Sequence, residues 1–259
     1  MASAGRVSWR GLAALGAAGL LALTAGCGDV LHQGHAALLG AQFDALEQDP
    51  SYGSLFAEMH KDFPTDYAAM REKVMTGLAD VYDEAQIKVR ARAISTAFMA
   101  DFKRTHLPYA AKASDAMLAE VAGDQLKMMQ GLQAIDPALC GNIAMGRTSA
   151  TDGMTSDAQK IVANSAALMM RAVRDGMDHP VEREAMGRAE GTELVAIMRR
   201  QQVDEGELRL IFGGGLMTAP PAEQCTGSLK LFEAVQQMPL PMRARFMGTA
   251  LIGAAKINN

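Results

Sequence analysis

The stretch "VMTGLADVYDEAQIKVRARAISTAFMADF" (residues 74–102) decides the fold class. Val74, Leu78, Val81 and Ala85 recur at steps of four and three, and Ile87, Ala91, Ile94, Phe98 and Phe102 continue with a shifted phase. Apolar residues at this spacing line one side of an α-helix, whereas a half-buried strand alternates every second residue. The pattern predicts one long helix, or two joined by a kink, over residues 66–104.

The rest of the chain repeats the signal. It is rich in Ala, Met, Leu, Glu, Lys and Arg and poor in aromatic and alternating β-branched runs. Those side chains lose little rotamer freedom in a helix. The prediction is an all-α fold, a helical array or bundle of about seven to nine helices.

Gly, Pro and capping residues divide the array. "THLP" (105–108) introduces a helix through Met117, Leu118, Val121 and Leu126 to Leu132, ended by "DP" at 136–137. "GNIAMGRTSATDG" (141–153) reads as a loop, and Ser156 with Gln159 reads as a capping box opening a helix. Gly176 suits that helix's C-terminus, and Pro180 the first turn of the next. "VDEGELRLIF" (203–212) fits a short helix or a single strand, "GGGLMTAPP" (213–221) is a loop, and two final helices are split by "MPLP" (238–241). The 141–153 loop is the principal break, so two subdomains, 29–140 and 155–259, are expected within a body running from 27 to 259.

Ahead of that body, residues 1–26 divide into three zones. Arg6 and Arg10 are a positive start, "GLAALGAAGLLAL" (11–23) is an apolar run too short to span a bilayer comfortably, and "TAG" places small residues before Cys27. The pattern reads as a cleaved signal peptide. With Ala25, Gly26 and Cys27 the chain resembles bacterial lipoprotein precursors, which are cut just before a cysteine that carries a diacylglycerol. Thr24 stands where Leu is commonest in that family, with Leu23 one residue early, so ordinary signal-peptide cleavage is the competing reading. The resemblance implies lipidation of Cys27, a membrane anchor and a periplasm-facing envelope location. Gly28, in place of the Asp associated with inner-membrane retention, implies the outer membrane; the alternative is a soluble periplasmic or secreted protein.

With Cys27 lipidated, Cys140 and Cys225 remain, an even number suited to an oxidising compartment. Both lie in similar punctuation, "DPALCGN" and "PPAEQCTG", which suggests element ends at the surface. A disulfide between them is expected; two separate buried thiols are the alternative.

A formal net charge of −4, made more acidic by loss of Arg6 and Arg10 with the leader, argues against nucleic acid as a partner. Basic clusters such as "KVRAR" (88–92) are interleaved with carboxylates and read as solvated helix faces. His32 and His35 in "HQGH", and His60 beside Glu58 and Asp62, lack the further ligands a metal site needs, so neither metal nor cofactor is expected. The 19 methionines are spread over every helix, which favours gap-filling in a core with few aromatics over Cu(I) recruitment.

No nucleophile can be placed beside a base and its orienting group, and no catalytic residue is assigned. "GGGLM" (213–217) below Glu205 and Glu207 resembles the Gly-Leu-Met-Gln motif of helical lytic transglycosylases, which lies downstream of a Glu-Ser pair. Thr218 replaces the Gln, and neither Glu is followed by Ser. The expected function is therefore a non-catalytic binding or interaction module of the envelope, with a cell-wall hydrolase of the transglycosylase kind as the alternative. Its expected contact surface is the Met-rich C-terminal segment, where Leu231, Val235 and Met238 share one face and Met242, Phe246, Thr249 and Ala250 another, for a protein or an apolar ligand.

Overall fold

The structure, a computed structural model, describes residues 27–147 and 154–257. The leader, residues 1–26, lies outside the described residues, as do residues 148–153 of the 141–153 loop. Eleven α-helices run through the described chain: α1 (Cys27–Gln48), α2 (Gly53–Asp62), α3 (Pro64–Leu78), α4 (Glu84–Ala110), α5 (Asp115–Ile135), α6 (Pro137–Ala144), α7 (Ser156–Asp178), α8 (Arg188–Arg200), α9 (Glu205–Phe212), α10 (Pro221–Gln236) and α11 (Leu240–Ile257). The fold is all-α, with slightly more helices than expected.

The surplus comes from short helices whose signals are local. Residues 66–104 are not one helix: the chain leaves α3 after Leu78, and Asp83 starts α4 afresh by accepting the Gln86 N–H at 2.9 Å. An N-cap carboxylate satisfies a donor the first turn leaves unpaired, which makes a new start cheap. Asp136 does the same for α6, accepting from Ala138 and Leu139. That helix carries Cys140 and Gly141, so the loop expected from 141 starts later.

Other boundaries move because tertiary contacts outweigh local punctuation. Pro108 lies inside α4, which runs on to Ala110, and Ser114 caps α5 instead. The cap of α7 is Thr155, one residue before Ser156. Gly176 does not end α7: a Cβ there would stand 1.9 Å from the Tyr109 carbonyl oxygen, so the glycine lets α7 press against the end of α4. Pro180 opens no helix. Residues 179–187 run as an irregular strap, with Val181 N–H on Lys112 O at 2.8 Å and Met186 N–H on Thr249 Oγ1 at 3.1 Å, and α8 starts only after Gly187. Residues 204–212 settle as helix because Asp204 and Glu207 form a capping box. Within the 213–221 loop, Gly215–Thr218 make a 3-10 turn entered through Gly214 at φ 82°, the left-handed region open to glycine.

α5 is the central helix, packed against α6, α7, α10 and α11, while α7 also contacts α2 and α4. The main core draws on both sides of the 148–153 segment, from Phe43, Phe63 and Phe102 through Leu118 and Val121 to Leu194, Val235 and Met247. Methionine fills it throughout: Met59, Met198 and Met238 are fully buried. A second cluster, with Met129, Leu132 and Leu229, surrounds a disulfide between Cys140 and Cys225. The two cysteines are inside α6 and α10 with no exposed surface, not at surface element ends. Gly141 explains the position: a Cβ there would fall 1.8 Å from Pro221 O, so α6 and α10 meet backbone to backbone.

Candidate functional site

Three helices enclose a cleft of about 370 Å³ lined by residues of α2, α5 and α7. Inter-helix bonds fix its register. Gln125 Nε2 donates to Ser165 Oγ at 3.0 Å and Ser114 N to Asp175 Oδ2 at 2.6 Å, so α5 and α7 run antiparallel. Ser54 Oγ donates to Asn164 Oδ1 at 2.7 Å and Arg171 Nη1 to Glu58 Oε1 at 3.1 Å, so α2 runs parallel to α7. Lys127 therefore stands level with Asn164 and Ser54 at one end, and Glu120 level with Arg171 and Glu58 at the other. Asp124 lies between them.

Glu120, Asp124 and Lys127 sit four and three residues apart, on one face of α5. Glu120 and Lys127 are exposed to solvent and Asp124 is half-buried; among the described residues none of the three has a protein hydrogen-bond or ion-pair partner, and one oxygen, Asp124 Oδ2, is buried in that state. A buried carboxylate oxygen without a donor carries a desolvation cost, and Oδ2 is closed to the cleft itself. Buried Ala167 and Leu168 form an apolar part of the lining. Arg171, by contrast, is already held by Glu58. The cleft thus presents unmatched charges of both signs beside an apolar wall.

A second cleft, of about 360 Å³, lies between α9 and α10 and contains Glu207. Glu207 Oε1 takes the Lys230 ammonium, and Oε2 accepts the Asp204 N–H at 3.2 Å. Glu205 is paired with Arg199 at 2.9 Å on the surface. A proton-donating acid needs an oxygen free to face a substrate, and both oxygens of Glu207 are engaged. Asp204 itself accepts from the Glu207 and Gly206 N–H groups, which hold its carboxyl below the usual carboxylate range. The "GLM" turn has a structural role as well: buried Gln224 donates from Nε2 to Leu216 O and Met217 O at 3.0 and 3.2 Å, and Arg147 donates to Gln224 Oε1 and Met217 O, each at 3.0 Å.

The Met-rich C-terminal residues face mostly inward. Val235, Met238 and Met247 are buried, Leu231, Met242 and Phe246 pack on the main core, and Thr249 and Ala250 are exposed. The described histidines serve local contacts: His35 Nε2 lies 3.1 Å from Leu78 O, and His60 lies 3.6 Å from Glu47. Among the described residues no group of three or more His, Cys, Asp or Glu side chains could hold a metal ion. The Cys27 backbone lies in α1; its side chain, like that of His32, lies outside the described residues.

Sequence reasoning passed over Glu120, Asp124 and Lys127. The signal was there, as charges on one α5 face, but their meaning depends on which helices lie opposite. No protein-family model, curated protein or solved structure matches this chain.

Proposed function

We propose that this chain is a lipid-anchored protein of the cell envelope that works by binding, with the α2–α5–α7 cleft as its ligand site. The observation that supports the binding role is a cleft of small-molecule size whose α5 face carries half-buried Asp124 between exposed Glu120 and Lys127. The anchor rests on the leader pattern and Cys27. Because Cys27 lies in α1, an acyl chain there would join a helix that packs on α2 and α3 and would keep the domain close to its membrane.

Two measurements test the two parts separately. Metabolic labelling with a fatty-acid probe should mark the wild type and leave Cys27→Ala unmarked; an unmarked wild type removes the anchor. A metabolite mixture presented to the purified protein, read by ligand-observed NMR, should yield a ligand displaced by cleft substitutions such as Asn164→Leu. Fragments released from cell-wall sacculi by the same protein would replace the binding role with a catalytic one.

A further inference from the structure

The geometry points to a ligand that is itself a zwitterion: we propose that the cleft holds a small molecule with a free ammonium and a free carboxylate, a free amino acid or dipeptide. This rests on the cleft being the ligand site and goes further by naming the chemistry.

The argument starts from charge placement on α5. Asp124 and Lys127 are three residues apart, a rise of about 4.5 Å along a helix. At that spacing opposite charges often pair with one another. Here neither has a partner among the described residues, and both line the cleft. Two unmatched opposite charges one turn apart suit a ligand whose own opposite charges are a few ångströms apart.

Direction follows from the neighbours. The ammonium belongs at Asp124, because Glu120 stands one turn away on the same face and adds a second negative charge. Charge draws an ammonium to this half-buried carboxylate, although its Oδ2 is buried and out of a ligand's reach. The carboxylate belongs at Lys127, where Asn164 also lies. Asn164 accepts from Ser54 through Oδ1, which leaves its amide N–H groups to donate. A methyl or similarly small side chain would meet Ala167 and Leu168.

A monopolar ligand satisfies this arrangement poorly. An amine alone leaves Lys127 unmatched, and a carboxylate alone sets its charge beside Asp124. Discrimination is therefore expected to be stronger at half-buried Asp124 than at exposed Lys127.

The test uses the purified mature protein and six probes: alanine, alanyl-alanine, and the N-acetyl and C-amide forms of each, read by isothermal titration. The zwitterions should bind, and blocking the ammonium should weaken binding about tenfold, while blocking the carboxylate, which meets exposed Lys127, should weaken it about two- to fivefold. Asp124→Asn should remove the penalty for N-acetylation, and Lys127→Gln the penalty for amidation. Both positions are on the rim of α5, so unchanged helicity by circular dichroism confirms that the fold survives. Equal binding of blocked and free probes, or zwitterion binding indifferent to both substitutions, overturns the inference. If only monopolar molecules from the metabolite mixture bind, and Asn164→Leu displaces them, the cleft remains the ligand site and the zwitterion is wrong. If nothing in either set binds, both readings fall.

Discussion

Arg183 donates from Nε and Nη2 to Asp115 Oδ1, at 3.0 and 2.8 Å, and the same guanidinium takes the carbonyls of Ala111 and Ala113. One side chain of the irregular 179–187 strap thereby closes the turn between α4 and α5. The turn needs it, because a helix end leaves carbonyls without partners. Arg183 is only 9 % exposed, so few water molecules can take its place.

Arg183→Ala should lower stability by about 1 to 2 kcal/mol, since it removes hydrogen bonds to two carbonyls, whereas Asp115, 39 % exposed, can turn to water. Arg183→Lys should recover only part, because an ammonium cannot present a planar fork. Urea denaturation measures both. A midpoint unchanged in Arg183→Ala would mean the strap is not what holds the turn.

The α6–α10 contact gives a second pair of expectations. The disulfide spans 85 residues, and under the chain-entropy account losing it costs at most about 4 to 5 kcal/mol. Cys225→Ser should therefore lower the melting temperature with helicity retained at low temperature. Gly141→Val should separate the two helices outright, because even a Cβ there meets Pro221 O. Alkylation of the folded, oxidised protein should find neither Cys140 nor Cys225 free. A freely alkylated pair would refute the bond.

These contacts mark where sequence reading stops. Periodicity disclosed the faces of α4 and α5 because Phe98, Phe102, Leu118, Val121 and Leu132 repeat at helical spacing and are buried on the core side. Caps carry their own chemistry, so Asp136 could be read as a boundary, whereas the Asp204–Glu207 capping box that decides helix over strand is seen only in the structure. Gly176 and Pro180 misled for the opposite reason. The glycine serves a neighbouring backbone, and the proline lies in a strap fixed by bonds to residues some 70 positions away. The cleft is of that second kind: Glu120, Asp124 and Lys127 look like ordinary solvated charges until α2 and α7 are set opposite them.

Lys103, half-buried on α4 with no partner among the described residues, supplies a pH-dependent expectation. Burial holds its ammonium below the ordinary lysine value. The unfolded chain then binds the proton more tightly than the folded one, so the residue costs stability at neutral pH. That cost fades as pH rises from the lowered folded value through the ordinary value near 10.5. Lys103→Met should raise the melting temperature at pH 7, and the advantage over wild type should narrow by pH 10 to 11. A constant advantage at all pH values would assign the gain to packing instead of charge.

The last expectation concerns the C-terminal helices. Phe246 meets Phe232 edge-on at 6.1 Å between centroids, and Met242 lies one turn before it on α11; both pack on the main core. Gly248 brings α11 against the end of α4, its Cβ position 3.2 Å from Ala111 O. Side chains placed this way join α11 to its neighbours through apolar contact, so Phe246→Ser should cost about 2 to 3 kcal/mol, less than a fully buried aromatic would. Met242→Ser should cost less again, because a flexible thioether is more readily replaced by neighbouring rearrangement. The double substitution should lower melting cooperativity together with the melting temperature. If the doubly substituted protein instead melts like wild type but no longer captures an apolar partner, these residues form a contact surface and the core assignment fails.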